Sequence, residues 1–465
     1  MATRFVNIDR DTPLLLPPDL RDWVPAEHLA HFVIDAVEAL DLRQVSVNTR
    51  GTGDAQYPPS MLLGLLVYSY ATGVFGSRRI EQSTYDNVAV RLLTADTHPD
   101  HDTICTFRRQ NQALVSESFV KVLELAQELK LAKFGQITVS IDGSKLAANA
   151  SKHSAVSYER AGQQLKQLEL EVEQLLAKAE AADATPLQDG LTIPEEIARR
   201  QQRKAALEQA RVRIEARAQA RYAAELAEYE QQMAARRERE QRGEKPRGPK
   251  PGAPDPTPGP KEQTNFTDPD SRIMKTSDGY EQGYNVQAAV EVQSRLIVGE
   301  RVSQAPNDKQ ELVPTLATVV PEAGPVAVVL VDSGFYSEEA VRKIEQTAAG
   351  ESTGTTVYAA VEKTNHHRRV TDLEKKPEPE APAPDAGLGE KMRHRLQTSV
   401  GKNLYKLRQQ TVEPVLGIIK SAMGFRQFLL RGRAKVSTEW TLVCLAYNIR
   451  RLHTMKLVAN MAVGG

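Results

Sequence analysis

Residues 158–242 form one long charged stretch that is almost free of Gly and Pro. In its first half, apolar residues recur at alternating steps of three and four, the spacing of a coiled coil: Leu165, Leu168, Val172, Leu175 and Ala179. After a break at TPLQDGLTIPEE, a second apolar series shares one helical face: Leu207, Ala210, Ile214, Ala218, Tyr222, Leu226, Tyr229 and Met233. The pattern predicts an antiparallel helical hairpin, which the rest of the fold must accommodate as an insertion.

Short β-branched runs flank the predicted hairpin. QITVSID (136–142) precedes it, while GYNVQAAVEV, RLIVGERVS and PVAVVLVD follow it, with a helix-like DKQELVPTLATVV before the last run. Runs of this length and composition are typical of buried strands. We therefore predict an α+β or α/β core made of 136–157 and 263–372, in the order β, insert, β, β, α, β.

Two segments are rich in proline. GEKPRGPKPGAPDPTPGPKE (243–262) has too much Pro and Gly to pack well, so we expect a flexible tether after the hairpin. The acidic LEKKPEPEAPAPDAGLGE (373–390) is predicted to be a second unstructured linker. These two linkers separate the core from its neighbours along the chain.

The two ends of the chain are predicted to be helical. In 1–135 apolar residues recur at three- and four-residue steps, and 391–465 shows a similar pattern. The net charge of the whole chain is zero, yet from Glu390 to Lys456 there are fourteen Lys or Arg against three Glu and no Asp. The neutral total therefore hides a strongly basic segment, and any case for nucleic acid rests on this uneven distribution.

Cysteine usage and hydropathy restrict the compartment. Cys105 and Cys444 lie far apart and in no metal-ligand spacing, which fits free thiols in a reducing compartment. The N-terminus lacks the long apolar core of a signal peptide, and apolar runs such as VAVVLV are far shorter than a membrane span. We expect a cytoplasmic protein with no membrane partner.

Asp142 and Asp332 each stand where a predicted central strand stops and a glycine-containing turn begins. One interpretation is that each carboxylate caps a turn or the following helix. The other is that they converge, because ligands of open α/β sheets bind at the carboxyl ends of strands. Two carboxylates repel each other unless a divalent metal lies between them, so this second interpretation predicts a metal site, with Gly334 turning the backbone away from Asp332.

A third polar series lies in LYKLRQQTVEPVLGIIKSAMGF (404–425): Tyr405, Arg408, Glu413 and Lys420. Glu413 and Lys420 are seven residues apart and therefore share a helical face, which a solvated surface would also explain. Pro414 predicts a kink or a new helix start at Glu413. A carboxylate at a helix start is held ionised by the helix dipole, which suits a metal ligand.

Several motifs together resemble those of the bacterial insertion-sequence DDE transposases, of the cut-and-paste type with a Tyr/Arg/Glu/Lys signature. They are SIDGSKLAANAS, NFTDPDSRIMKTSDGYEQGYNVQAAVE, VVLVDSGFYS and the 405–420 series, with IEQSTYDNVAVRLL, TICTFRRQ and RGRAKVSTEWTLVCLAYNIRRL near the two ends. The resemblance covers nearly the full chain. One departure is that four residues separate Arg408 from Glu413, where the signature has three.

The resemblance implies an RNase-H-like catalytic core, with a DNA-end-binding domain at 1–135 and a basic region at 391–465 that completes the core. Asp142, Asp332 and Glu413 would be the catalytic residues and would hold two Mg²⁺ ions, which Mn²⁺ can replace. Arg408 and Lys420 would grip DNA phosphates, and Tyr405 would lie near the scissile end.

The implied activity is endonucleolytic cleavage and strand transfer of a mobile genetic element. The partners would be double-stranded DNA, both the terminal inverted repeats and the target, bound by a homodimer in the bacterial cytosol at the nucleoid.

Rival interpretations remain open at this level. A non-catalytic DNA-binding relic, a metal-dependent nuclease without strand transfer and a helical scaffold built on the insert are alternative functions. HPDHD (98–102) offers His98, His101 and Asp102, which a helix-capping turn explains better than a metal site. Glu439 is a rival third carboxylate, and we expect it to cap a helix start at STEW.

Overall fold

The computed structural model describes residues 19–40, 45, 56–184, 192–243, 249–276, 279–362, 378–383 and 385–464. It divides the chain into two compact units. The first is Met1–Leu146 with Asn285–Gly465, and the second is Ala147–Tyr284. Helix and sheet are mixed, in agreement with the predicted α+β class.

The described residues form the following α-helices: α1 (Leu20–Trp23), α2 (Leu29–Glu38), α3 (Pro59–Ala71), α4 (Ser77–Asp86), α5 (Val88–Leu93), α6 (His101–Gln110), α7 (Gln112–Glu128), α8 (Tyr158–Ala184), α9 (Ile193–Gln241), α10 (Leu312–Leu316), α11 (Glu338–Glu345), α12 (Leu388–Gln397), α13 (Ser399–Gly417) and α14 (Arg433–Gly464). None of these helices is long and apolar enough to cross a membrane.

The strands are β1 (Ile137–Ala147), β2 (Ala155–Ser157), β3 (Gln263–Asn265), β4 (Arg272–Thr276), β5 (Gly279–Glu291), β6 (Ile297–Ser303), β7 (Val326–Val331) and β8 (Thr356–Ala359). In the first unit the strand order is β6-β5-β1-β7-β8. β5 and β6 pair antiparallel, whereas β7 pairs parallel with both β1 and β8. The parallel pairs place the carboxyl ends of β1 and β7 on the same edge of the sheet.

The core of the first unit lies between this sheet and α14. Trp440 is fully buried and donates from Nε1 to the backbone oxygen of Gln287 on β5. Asn448, also fully buried, accepts from the backbone N–H of Ile297 and donates to its oxygen at the start of β6. These polar anchors fix the helix register, while the buried apolar residues of α14 supply most of the stabilisation through removal of their surface from water.

In the second unit, α8 and α9 run in opposite directions. Arg200 on α9 pairs with Glu171, Lys204 pairs with Glu169, and Arg211 donates to Tyr158 near the start of α8. Because exposed ion pairs contribute little, the packing rests on a small apolar cluster: Val156, Ala161, Leu165, Leu168, Leu207 and Ala210. At the base of the two helices, β2 and β3 pair antiparallel.

The described part of the predicted tether is packed against α9. Arg221 lies 2.6 Å from Glu262 Oε1, and Arg236 donates to the backbone oxygen of Pro249 at 3.1 Å. Proline-rich backbone has few internal hydrogen bonds and so offers its carbonyls to such donors. Residues 249–262, which the sequence predicts to be too rich in Pro and Gly to pack well, thus contact α9, while 244–248 lie outside the described residues.

The second predicted linker, 373–390, is described only at 378–383 and 385–390. Glu378 accepts from the backbone N–H of Ser399 at 2.9 Å, which satisfies a donor at the start of α13. α12 begins at Leu388, inside the stretch for which the sequence predicts no structure. Residues 373–377 and 384 lie outside the described chain.

Candidate active site

Asp142 and Asp332 lie next to each other on the sheet. β1 pairs with β7 in the register Thr138 to Val328 and Ser140 to Leu330, and two further residues at the same offset bring Asp142 opposite Asp332. β1 continues to Ala147, so the expectation that the strand ends at Asp142 is wrong. Asp332 follows the last residue of β7 as predicted. Convergence of the two carboxylates therefore comes from parallel pairing rather than from two matching strand ends.

The environment of Asp142 is strongly acidic. The pKa of Asp142 is raised to about 7, mainly by burial and in addition by the charges of Asp332 and Asp308. The backbone N–H of Gly143, 2.8 Å from Asp142 Oδ1, and the guanidinium of Arg408 act in the opposite direction. The Asp142 carboxyl thus resists ionisation and lies near two other carboxylates. A divalent cation bound there would favour the ionised form of Asp142 and offset the repulsion between the carboxylates. In the part of the chain that is described, no three His, Cys, Asp or Glu side chains are already arranged around one ion.

Asp332 is fixed by the turn that follows it. Its Oδ1 accepts from the backbone N–H of Gly334 at 2.8 Å. Gly334 does not adopt a left-handed conformation. A Cβ there would lie 3.1 Å from Asp332 Oδ1, a tight contact, so glycine leaves room for the carboxylate. Ser337 then caps α11 by accepting from Ala340 N. A short, well-bonded turn thus orients the carboxylate.

Arg408 links the third carboxylate to the first. Its Nη2 lies 2.9 Å from Glu413 Oε1, and its Nη1 lies 4.0 Å from Asp142 Oδ2. Arg408 is only 11% exposed, and its Nε has no hydrogen-bond partner among the described residues. Two residues five positions apart on an ideal helix point in directions about 140° apart around the helix axis. The contact between Arg408 and Glu413 therefore depends on the length of the arginine side chain. The extra residue between Arg408 and Glu413 does not separate them.

α13 passes through Pro414 without a break. The predicted new helix start at Glu413 is therefore wrong: Glu413 lies inside the helix, and no helix N-terminus holds its charge. Proline removes one backbone donor, and the chain then widens into a π-helical turn at Ile418–Ala422, which carries Lys420. The partner of the Glu413 carboxylate is the Arg408 guanidinium instead.

Tyr405 and Lys420 complete the group of predicted site residues. The Arg408 guanidinium carbon lies 5.7 Å from the centre of the Tyr405 ring, and burial raises the Tyr405 pKa. Burial lowers the pKa of Lys420, and the nearby Arg426 lowers it further, whereas the charge of Asp142 raises it. The fold thus brings all six predicted residues into one electrostatically connected group, with carboxylates and cations close enough to influence each other.

Sequence reasoning missed four residues of this environment: Asp308, Asn285, Gln287 and Arg426. Asn285 and Gln287 are two apart on β5 and both donate to Asp308 Oδ1 at 2.8 Å. The available signal was a pair of amides spaced by two in the otherwise apolar GYNVQAAVE. Arg426 follows the π-helical turn and carries no motif that marks it.

The rival candidates have structural roles. His101 Nδ1 contacts Glu81 at 2.8 Å, and Asp100, rather than Asp102, caps α6 by accepting from Thr103 N. Glu439 does not cap its own helix as expected.

Glu439 lies within α14 and is fully buried. It accepts from Tyr70 Oη and from the backbone N–H groups of Leu429 and Leu430. It is a buried anchor for the segment that leads into α14.

Two family models match parts of the chain. The transposase domain DUF772 matches residues 18–110, and a transposase DDE domain matches residues 381–453, which include Arg408, Glu413 and Lys420. Comparison with curated proteins and with solved structures gives no significant match.

Proposed function

The chain belongs to the insertion-sequence DDE transposases, and we propose that it cuts DNA at the ends of an insertion sequence and joins them to target DNA. One observation carries the proposal. Asp142 and Asp332 meet across a parallel strand pair, and Arg408 connects Asp142 with Glu413. Three carboxylates supplied by distant segments of one chain are then available for one phosphoryl-transfer site.

We further propose that the first unit contains an RNase-H-like core. The supporting observation is the element order β1, β5, β6, α10, β7, which is the β, β, β, α, β order implied by the resemblance. Along the chain, the second unit (Ala147–Tyr284) interrupts the first between β1 and the later part of β5, in agreement with an inserted arm. On this proposal, the arm binds a partner or stiffens the assembly.

Asp142, Asp332 and Glu413 would hold Mg²⁺, and two ions are proposed, with Mn²⁺ as a substitute. The donor set fits, because carboxylate oxygens are preferred Mg²⁺ ligands. Burial, with a smaller part from the charges of Asp332 and Asp308, raises the pKa of Asp142, and a bound cation would favour its ionised form. When bound, the metal would supply activation of the attacking oxygen and charge stabilisation at the leaving oxygen.

The other polar residues would act on the DNA. Arg408 orients Glu413 through their 2.9 Å contact and places a positive charge beside Asp142. Lys420 and Arg408 would contact the phosphates that flank the scissile bond, and Tyr405 would pack beside the terminal nucleotide. Two cations beside three carboxylates allow a polyanionic strand to approach a site that would otherwise repel it.

The remaining parts of the proposal concern binding and assembly. Residues 1–135 would bind the terminal inverted repeats, and the basic segment 391–465 would add sequence-independent phosphate contacts. Two DNA ends must be brought together, so we propose a homodimer on DNA. Such an enzyme would work on the nucleoid in the bacterial cytosol.

The test uses the purified full chain and linear DNA that carries the sequences flanking its gene. We expect Mg²⁺-dependent nicks at a fixed position that expose 3′-hydroxyls, followed by joined products. Asp142→Asn, Asp332→Asn and Glu413→Gln should each abolish cleavage and leave end binding largely intact. Glu339→Gln, an exposed carboxylate on α11 outside the proposed DNA-end-binding region, is the matched control.

The products separate the candidate functions. Cleavage without any joined product would favour a nuclease, and specific end binding without cleavage would favour a DNA-binding relic. Near-normal cleavage by one of the three variants would remove that residue from the proposed site. Cleavage that is unaffected by chelation of divalent ions would refute the metal-dependent mechanism.

A further inference from the structure

Asp308 lies beside the proposed site and has no role in it so far. It is located in the loop between β6 and α10, where its Oδ1 accepts two hydrogen bonds of 2.8 Å from the side-chain amides of Asn285 and Gln287. Both amides project from β5 and are buried. No Lys or Arg forms an ion pair with Asp308 among the described residues. Neutral amides therefore hold this carboxylate in place without cancelling its charge.

The same group is packed tightly against the backbone next to Asp142. A Cβ at Gly143 would lie 2.5 Å from Gln287 Nε2 and 2.6 Å from Asp308 Oδ1. Only glycine allows β5 side chains to approach β1 this closely at this position. Asp308 is thereby held at van der Waals distance from the residue that follows Asp142, although it is more than 160 residues away in sequence.

Gln287 supplies a second, independent observation. Its side chain is fully buried, yet its Oε1 has no hydrogen-bond partner among the described residues. The Gly143 Cβ position would be 3.0 Å from this oxygen, so the unpaired acceptor faces the same backbone as Asp308. An unsatisfied buried acceptor is costly. Its presence beside an uncancelled carboxylate indicates that a hydrated cation or a water bound to it belongs there.

We propose that Asp308 is a positioning residue of the cation site: its fixed charge increases the affinity of Asp142 and Asp332 for a divalent cation, and it holds Gln287 against β1. The inference rests on the proposed function. Groups just outside the metal ligands typically change metal affinity by about 10–100-fold when they are mutated. Hydrogen bonds from neutral amides hold the Asp308 carboxylate in place and leave its negative charge available to the cation, whereas an ion pair would neutralise that charge.

The test is Asp308→Asn, which keeps an oxygen that can accept from Asn285 and Gln287 and replaces the charged carboxylate by a neutral amide of nearly the same size. Mn²⁺ is titrated into the full-length protein without DNA, and binding is followed by calorimetry and by the shift in melting temperature. We expect Mn²⁺ affinity to fall about tenfold in Asp308→Asn. In cleavage assays the Mg²⁺ requirement should rise by a similar factor, with much of the rate recovered at saturating Mg²⁺.

Glu311→Gln is the matched control. Glu311 belongs to the same loop, where it accepts a hydrogen bond from Ser303 and forms an ion pair with Arg301. This variant therefore loses a carboxylate of the loop that lies outside the hydrogen-bonded group of Asp308, Asn285 and Gln287. Its Mn²⁺ affinity should stay within about twofold of the wild type.

The outcomes separate the two proposals. Unchanged Mn²⁺ affinity in Asp308→Asn, with normal wild-type binding, would overturn the role of Asp308 and leave the proposed function intact. A wild type that binds no Mn²⁺ at millimolar concentrations and cleaves without divalent ions would refute the metal site itself, and the role of Asp308 with it. Equal losses in Asp308→Asn and Glu311→Gln would show that the loop merely unfolds, which would also overturn the inference.

Discussion

Burial of Glu300 on β6 should make the protein less stable as the pH rises, and Glu300→Gln should remove this one contribution. The carboxylate is buried, accepts one hydrogen bond of 2.6 Å from Thr441 Oγ1, and has a second oxygen, Oε2, without a partner among the described residues. Burial raises its pKa from 4.5 to about 7. Glu300 therefore binds its proton more tightly in the folded state than in the unfolded state, so its contribution destabilises the folded state progressively as the pH rises from about 4.5 to about 7.

The size of the effect follows from the shift. A pKa difference of this size corresponds to a penalty of about 3 kcal/mol at pH 8.5, but of less than about 1 kcal/mol at pH 5. Glu300→Gln has no charge to desolvate and can still accept from Thr441. The variant should thus be more stable than the wild type by about 3 kcal/mol at pH 8.5, and nearly equal to it at pH 5.

The assay is urea denaturation at the two pH values, followed by the fluorescence of the buried Trp440 that neighbours Thr441 on α14. Glu339→Gln, an exposed carboxylate on α11, controls for the loss of one negative charge. The same stability difference between variant and wild type at both pH values would refute the reasoning, because it would show that the charge of Glu300 is not what burial penalises.

Three further predictions concern the site and its support. Glu439→Gln should lower the free energy of unfolding by about 3 kcal/mol in urea denaturation, because it leaves Arg108 buried without its counter-charge; an unchanged midpoint would contradict this. Gly143→Ala should cost about 1–3 kcal/mol through overpacking and reduce cleavage, whereas Gly135→Ala, where a Cβ meets nothing within 4 Å, should do neither. Lys420→Ala should reduce the salt dependence of DNA binding, measured by fluorescence anisotropy, by about one unit of slope; an equal slope would remove Lys420 from the phosphate contacts.

Local patterns were sufficient for some of this protein. The heptad spacing in 158–242 predicts two helices because helical periodicity depends on neighbours within a few residues, and helices α8 and α9 occupy that stretch. The position of Asp332 directly after the strand VAVVLV was likewise predictable from neighbouring residues alone. The motifs shared with insertion-sequence DDE transposases likewise indicate the family without any coordinates, since they are properties of the chain itself.

Contacts between distant segments needed the tertiary structure. Asp142 meets Asp332 because of the register between β1 and β7, which packing selects and no local pattern encodes. Pro414 predicted a kink or a new helix start at Glu413, yet no new helix starts there, and the Arg408 side chain rather than a helix terminus pairs with Glu413. Asp308 joins the site only because β5 lies beside β1 and Gly143 leaves room for it. Side-chain type and short-range spacing thus identified the carboxylates, whereas strand pairing decided which charges lie next to each other.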